Sequence, residues 1–135
     1  MSFLDLFSGS GLVGIEAASR NAQKVVLVEK DRKKKKIILE NISFVETDIR
    51  LFLYPADRYI KTCKSKYDII YLDPPFNMSG KMSYISIIYE KKVLDENGTL
   101  IIHIPGEDPY TEEIGNLCIS DIRKYGRSLL LFYKR

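Results

Sequence analysis

The sequence predicts an α/β fold: a mostly parallel, seven-stranded sheet with helices on both faces and an antiparallel hairpin at its C-terminal end. Three observations carry this. Apolar runs alternate with helix-patterned stretches along the chain, a glycine-rich turn follows the first apolar run directly, and two apolar runs meet at Gly126 near the end.

Residues 2–7 are mostly apolar and end at Gly9 and Gly11, so they read as a short buried strand feeding a tight turn. Residues 12–20 then place Val13, Ala17 and Ala18 at helical spacing, with Gly14 small enough to let that helix approach the sheet. "KVVLVEKD" at 24–31 is the β-branched run of a strand buried on both faces, with Glu29 at its C-terminal end. Asp31 is a fitting N-cap for the helix "DRKKKKIILENI". "SFVETD" at 43–48 reads as the third strand, and the spacing of Ile49, Phe52 and Leu53 predicts a helix after it, limited or restarted by Pro55.

"YDIIYLDPPFN" at 67–77 is an apolar strand stopped by Asp-Pro-Pro, since Pro75 bars Pro74 from helical geometry. Residues 82–94 put Ile85, Ile88, Tyr89 and Val93 on one helical face, closed by the Asn97-Gly98 turn. "TLIIHIP" at 99–105 is the next strand. Residues 119–125 and 127–134 complete the hairpin.

A chain of 135 residues suits one domain spanning 1–135, and 45% hydrophobic with 29% charged residues is ordinary for a globular protein with a real core. The net charge of +3 is compatible with a nucleic acid partner without requiring one. Cys63 and Cys118 lie far apart with no C-x-x-C spacing, which suggests neither a disulfide framework nor a zinc site, so no metal is expected. A reducing, cytoplasmic setting fits best. The opening residues lack the basic start and continuous apolar core of a signal peptide, and no apolar run approaches the roughly 18 residues of a membrane span.

In an open α/β sheet, ligands bind beyond the carboxyl ends of the strands. Four unusual features fall at expected strand ends: Asp5 with its glycines, Glu29, Asp48, and the "DPPF" of residues 73–76. Gly9, Gly11 and Gly14 satisfy G-x-G-x-x-G, where backbone N–H groups and a helix start can meet an anionic or carboxylate group, although such glycines also serve simply to turn a chain. Glu29, 20 positions after Gly9, is placed either to accept hydrogen bonds from ribose hydroxyls or to stand as a solvated acid beside Lys30. Asp48, with Ile49 beside it, could face an adenine amino group or cap the helix expected next.

The Asp-Pro-Pro-Phe stretch is the sharpest signal. Rigid prolines let the Asp73 carboxylate and the Pro74 carbonyl act together as acceptors, with Phe76 as an aromatic face, an arrangement suited to the exocyclic amine of a stacked base. Lys33 to Lys36 point in different directions on a helix and read as a solvated face. His103, within an apolar strand, reads as a packed or strand-end histidine, and the tyrosines at 84, 89, 110, 125 and 133 as core or rim.

"LDLFSGSGLVGIEAASRNA", "VVLVEKD" and "YDIIYLDPPF", in this order and spacing, resemble the RsmD-type 16S ribosomal RNA guanine-N2 methyltransferases, a branch of the class I S-adenosylmethionine (SAM) enzymes. The resemblance runs the length of the chain. It implies a Rossmann-like class I methyltransferase fold with Asp5 in the loop that holds the methionine end of SAM, Gly9 and Gly11 along the methionine moiety, Glu29 on the ribose, and Asp48 with Ile49 at the adenine. Phe7 and Lys30, neighbours of these positions, count with the cofactor side. Asp73, Pro74 and Phe76 take the target base. The implied partner is 16S rRNA or the assembling 30S subunit, met by a monomer.

Family members also carry an Arg- and Gly-rich segment ahead of the first strand that helps bind RNA and close over SAM. Here Met1 stands three residues before Leu4, so the domain is expected to be N-terminally short and a weak methylating agent by itself. Two other readings compete with an active methyltransferase. One is a catalytically silent SAM- or RNA-binding remnant. The other is an NAD-dependent dehydrogenase, which shares the glycine spacing and Glu29 but leaves Asp5 and "DPPF" without a role.

Overall fold

A computed structural model describes all 135 residues. Strands β1 (Ser2–Asp5), β2 (Lys24–Val28), β3 (Asp48–Phe52), β4 (Tyr67–Leu72), β5 (Leu94–Pro105), β6 (Glu113–Ile114), β7 (Leu117–Tyr125) and β8 (Ser128–Lys134) form one sheet in the order β3-β2-β1-β4-β5-β8-β7-β6. β1 to β5 run parallel, and β8 returns antiparallel to β5. The connections carry helices α1 (Leu12–Ser19), α2 (Lys35–Ile42), α3 (Ala56–Thr62) and α4 (Met82–Glu90). The chain steps outward from β1 to β3 and then crosses back to β4 on the other side of β1. Adjacent loops therefore diverge at the carboxyl ends of β1 and β4, leaving a crevice there.

Val25 to Val28 are at most 1% exposed, as a strand covered on both faces requires. One core packs α3 and α4 against the sheet through Ile60, Ile85, Ile88, Leu72 and Ile102. The other packs α1 and α2 through Ala17, Ala18 and Ile38 against Phe3, Val25 and Leu27. A Cβ on Gly14 would collide with the Leu27 side chain, so this glycine sets how closely α1 lies on β2. No helix is long and apolar enough to cross a membrane.

The sheet has eight strands rather than seven, because Glu113 and Ile114 add a two-residue edge to β7. The third strand is Asp48–Phe52, not 43–48, and the helix expected from Ile49 begins only at Ala56. Ile49, Phe52 and Leu53 have helical spacing, but pairing with β2 from Lys24↔Asp48 to Val28↔Phe52 overrides it, and Pro55, lacking an N–H, starts the helix instead. α4 ends at Glu90, and a turn through Lys92 at φ 56° delivers Val93 to the core. Asn97-Gly98 lies within β5, as an irregularity in its pairing with β4, instead of closing α4. Asp31 caps as expected, its carboxylate accepting the Lys33 N–H at 3.0 Å, although the first turn is 3₁₀.

Candidate active site

The crevice is a cleft of about 790 Å³ lined from several loops, including Phe7, Gly9, Glu29, Lys30, Asp73 and Tyr84. Its first wall is the turn after β1. Gly9 and Gly11 hold φ of +58° and +85°, left-handed values that a side chain would strain, and open space surrounds Gly9 where a Cβ would project. The turn is stitched to its neighbours: Ser8 N–H donates to Val28 at 3.0 Å, and Asn41 Nδ2 donates to the Ser10 carbonyl at 2.9 Å.

Glu29, at the end of β2, is the main brace of this turn. Its Oε1 accepts the Gly9 N–H at 2.9 Å and its Oε2 the Asp31 N–H at 2.8 Å. The carboxylate therefore fixes the glycine loop as well as lining the cleft, and it is neither a solvated acid nor a partner of Lys30. Each oxygen keeps a lone pair for a further donor.

Asp5 is 1% exposed beneath the turn. Its Oδ1 accepts the Phe7 N–H at 3.3 Å, while Oδ2 has no partner, and the buried Ser8 hydroxyl has none either. Two orphaned polar groups at one spot are costly unless a ligand pairs with them. Burial pushes the Asp5 carboxyl up to about 7; the Phe7 hydrogen bond pulls the other way, and the charges of Asp73 and Glu29 add smaller upward pushes.

The opposite wall is the loop after β4. Asp73 and Pro75 line the cleft, whereas Pro74 is buried, so its ring packs while its neighbours face outward. Phe76 is 51% exposed. The loop is held at two points that the sequence did not reveal. His103 Nδ1 lies 3.0 Å from Asp73 Oδ1, and its ring meets Phe76 edge-on at 5.2 Å. Lys81, itself buried, donates to the Phe76 carbonyl at 2.8 Å and pairs with Asp108 from the loop after β5. Of the packed and strand-end readings of His103 the second holds, since it lies near the C-terminal end of β5 level with Asp73, but its contact with the Asp73 carboxylate was not expected. Lys81 gave no signal, because its partners come from two distant loops.

Two expected site residues lie elsewhere. Asp48 and Ile49 pair with Lys24 and Val25 at the amino ends of the strands, opposite the cleft, and Asp48 is exposed with Arg50 at 3.6 Å. Asp48 opens β3 instead of closing it. Pro55, Ala56 and Asp57, at the β3–α3 junction, border the cleft where Asp48 and Ile49 were expected. Phe7 lines it with Tyr84, their rings 5.2 Å apart and nearly perpendicular, and Lys30 stands exposed at the rim.

A family profile described as "Conserved hypothetical protein 95" matches residues 1–134. The chain is 34% identical, over 73% of its length, to the Ribosomal RNA small subunit methyltransferase D of Buchnera aphidicola subsp. Baizongia pistaciae, covering 51% of that protein. It is 30% identical over 72% of its length to the protein of the same name from Escherichia coli K12, covering 46% of it. The chain thus spans about half the length of these two relatives. Among solved structures, a conserved hypothetical protein of Streptococcus pyogenes is 33% identical and superposes with a TM-score of 0.91, over 98% of this chain and 84% of that one.

Proposed function

This chain belongs to the RsmD-type family of SAM-dependent ribosomal RNA methyltransferases, and from that premise we propose that its cleft binds SAM and methylates an exocyclic amine of a nucleobase, guanine N2 of 16S rRNA. The observation that carries the reading is the pairing of two unlike walls. One holds orphaned acceptors beneath a glycine turn, and the other presents Asp73 and Phe76.

The residues fit the cofactor. Asp5 Oδ2 and the Ser8 hydroxyl offer unused polar atoms for the amino and carboxylate groups of the methionine end, and Gly9 leaves room beside them. Glu29 offers remaining lone pairs to the ribose hydroxyls, and the Pro55–Asp57 junction replaces Asp48 and Ile49 as the adenine side. SAM supplies an electrophilic methyl group.

The chain's own residues position the acceptor. A guanine N2 lone pair is delocalised into the ring, so the amine must be oriented before it reacts. Asp73 and the Pro74 carbonyl accept its N–H bonds, which turns the lone pair outward and stabilises positive charge as it builds on nitrogen. Phe76 stacks the base. The amine proton lost after transfer leaves through Asp73 to solvent. The partner is 16S rRNA or the assembling 30S subunit in the cytoplasm, met by a monomer.

Calorimetry with SAM and with NADH, followed by methyl transfer to 30S particles and nucleoside mass spectrometry of the product, tests the reading. SAM binding without NADH binding and a new N2-methylguanosine are expected. NADH binding in its place restores the dehydrogenase reading, and SAM binding without transfer restores the silent remnant. In an active preparation, Asp73→Ala should lower single-turnover transfer on the order of a hundredfold or more while leaving SAM affinity unchanged.

A further inference from the structure

The C-terminal hairpin lies beside the catalytic end of the sheet. Ile102 to Pro105, the end of β5, pair with Leu131 to Ser128, so the start of β8 stands next to His103 and the loop holding Asp73. β7 continues the rungs: His103, Leu130 and Arg123 are successive partners, as are Pro105, Ser128 and Tyr125. Partners on one rung share a face of the sheet, so Arg123 and Tyr125 face the same side as His103, while Lys124, on the rung of Leu129 and Ile104, projects from the other face, and the two faces meet at the tip. Two strand spacings separate His103 from Arg123, or about 10 Å.

The tip is chemically suited to such a strand. Arg123, Lys124, Tyr125 and Arg127 are exposed, Tyr125 at 57%. Arg123 is occupied, its Nε donating to Asp121 at 3.1 Å and its guanidinium lying 5.1 Å over the Phe132 ring. Lys124 and Arg127 make no ion pair. They flank a groove of about 350 Å³ between the tip and Gly106, in which Glu107 is the sole acid. The groove is not floppy: Gly106 N–H donates to the Arg127 carbonyl at 2.7 Å, tying the tip to the strand that bears His103. Two free cations and an exposed aromatic ring, at a tip two strands over from the strand that bears His103, match a phosphate backbone with unstacked bases.

We propose that the β7–β8 tip, through Lys124, Tyr125 and Arg127, grips the single-stranded RNA flanking the base in the cleft. This rests on the methyltransferase reading above. Phosphates meet Lys124 and Arg127, a neighbouring base stacks on Tyr125, and the bound strand is aimed at Asp73 and Phe76.

The test compares the parent chain with Lys124→Ala/Arg127→Ala, Tyr125→Ala and Tyr125→Phe. For each, Kd is measured for a short labelled single-stranded RNA across a salt series, with KM and kcat for 30S methylation, Kd for SAM, and Tm as a fold control. Removing both cations should flatten the log Kd against log salt slope by about 1.4, at about 0.7 per cation. Tyr125→Ala should weaken RNA about fivefold or more, with Tyr125→Phe restoring it. SAM affinity and Tm should not move. An unchanged slope and KM in the cation variant, with the parent active, overturns the hairpin proposal alone. A parent chain that binds SAM yet neither binds nor methylates RNA overturns both readings.

Discussion

His103 Nδ1 stands 3.0 Å from Asp73 Oδ1, so the only histidine of the chain holds the carboxylate proposed to orient the target amine. One oxygen of Asp73 is thereby fixed and the other stays free for the substrate. His103→Leu should lower single-turnover methyl transfer by about tenfold or more, the worth of a hydrogen bond to a charged group. His103→Asn, which keeps a donor near the Nδ1 position, should recover much of that rate. SAM affinity should be the same in all three proteins. Full activity in His103→Leu would mean that Asp73 needs no such support.

Asp5 should make cofactor binding depend on pH. Its free-protein pKa near 7 must fall when an ammonium group reaches its unpaired oxygen, so the carboxylate form binds and the acid form does not. SAM affinity should be level above about pH 8 and fall by up to about tenfold per unit below 7. Calorimetry near pH 7 in buffers of different ionisation enthalpy should show proton release on binding. A flat profile from pH 6 to 8 would remove Asp5 from the cofactor site.

The same residue should cost stability. For a carboxyl raised from 3.8 to about 7, the folded state holds a proton that the unfolded state has lost. The penalty is therefore absent below about pH 4, grows from 4 to 7 and is complete above 7, reaching about 4 kcal/mol at most. Asp5→Asn should raise Tm at pH 8, have little effect at pH 4, and abolish SAM binding. Equal Tm changes at both pH values would contradict the linkage.

Glu29 should behave differently, because its oxygens already hold the Gly9 and Asp31 amides. Glu29→Ala should weaken SAM by about 1–3 kcal/mol and also lower Tm, since the glycine turn loses its brace. Glu29→Gln, with one acceptor left, should fall between. Unchanged SAM affinity in Glu29→Ala would take the ribose role from this residue.

Lys81→Met should loosen the loop at Phe76, where the ammonium now joins the Phe76 carbonyl to Asp108. Asp108 can reach water, so the stability loss should be about 1–3 kcal/mol, less than for a fully buried pair. The expected signature is a raised KM for RNA with SAM affinity preserved. Loss of SAM affinity to the same degree would mean that the two walls are not independent.

Local chemistry determined much of this protein from the sequence alone. The β-branched run at 24–28 can only be a covered strand, Gly9 and Gly11 must sit in a turn that left-handed backbone allows, and Asp73-Pro-Pro must stop its strand. Those constraints act within a few residues, and they located Asp5, Glu29 and the loop of Asp73 to Phe76 at the cleft. The tertiary structure decided what depends on partners far along the chain. Pairing with β2 made Ile49 to Phe52 a strand and sent Asp48 to the far edge, because ladder hydrogen bonds outweighed a helical spacing. Crossing back to β4 and on to β5 brought His103 to Asp73, thirty residues apart, and Lys81 to Asp108. Burial beneath the turn, which no spacing encodes, turned Asp5 from an ordinary acid into one that titrates near neutrality.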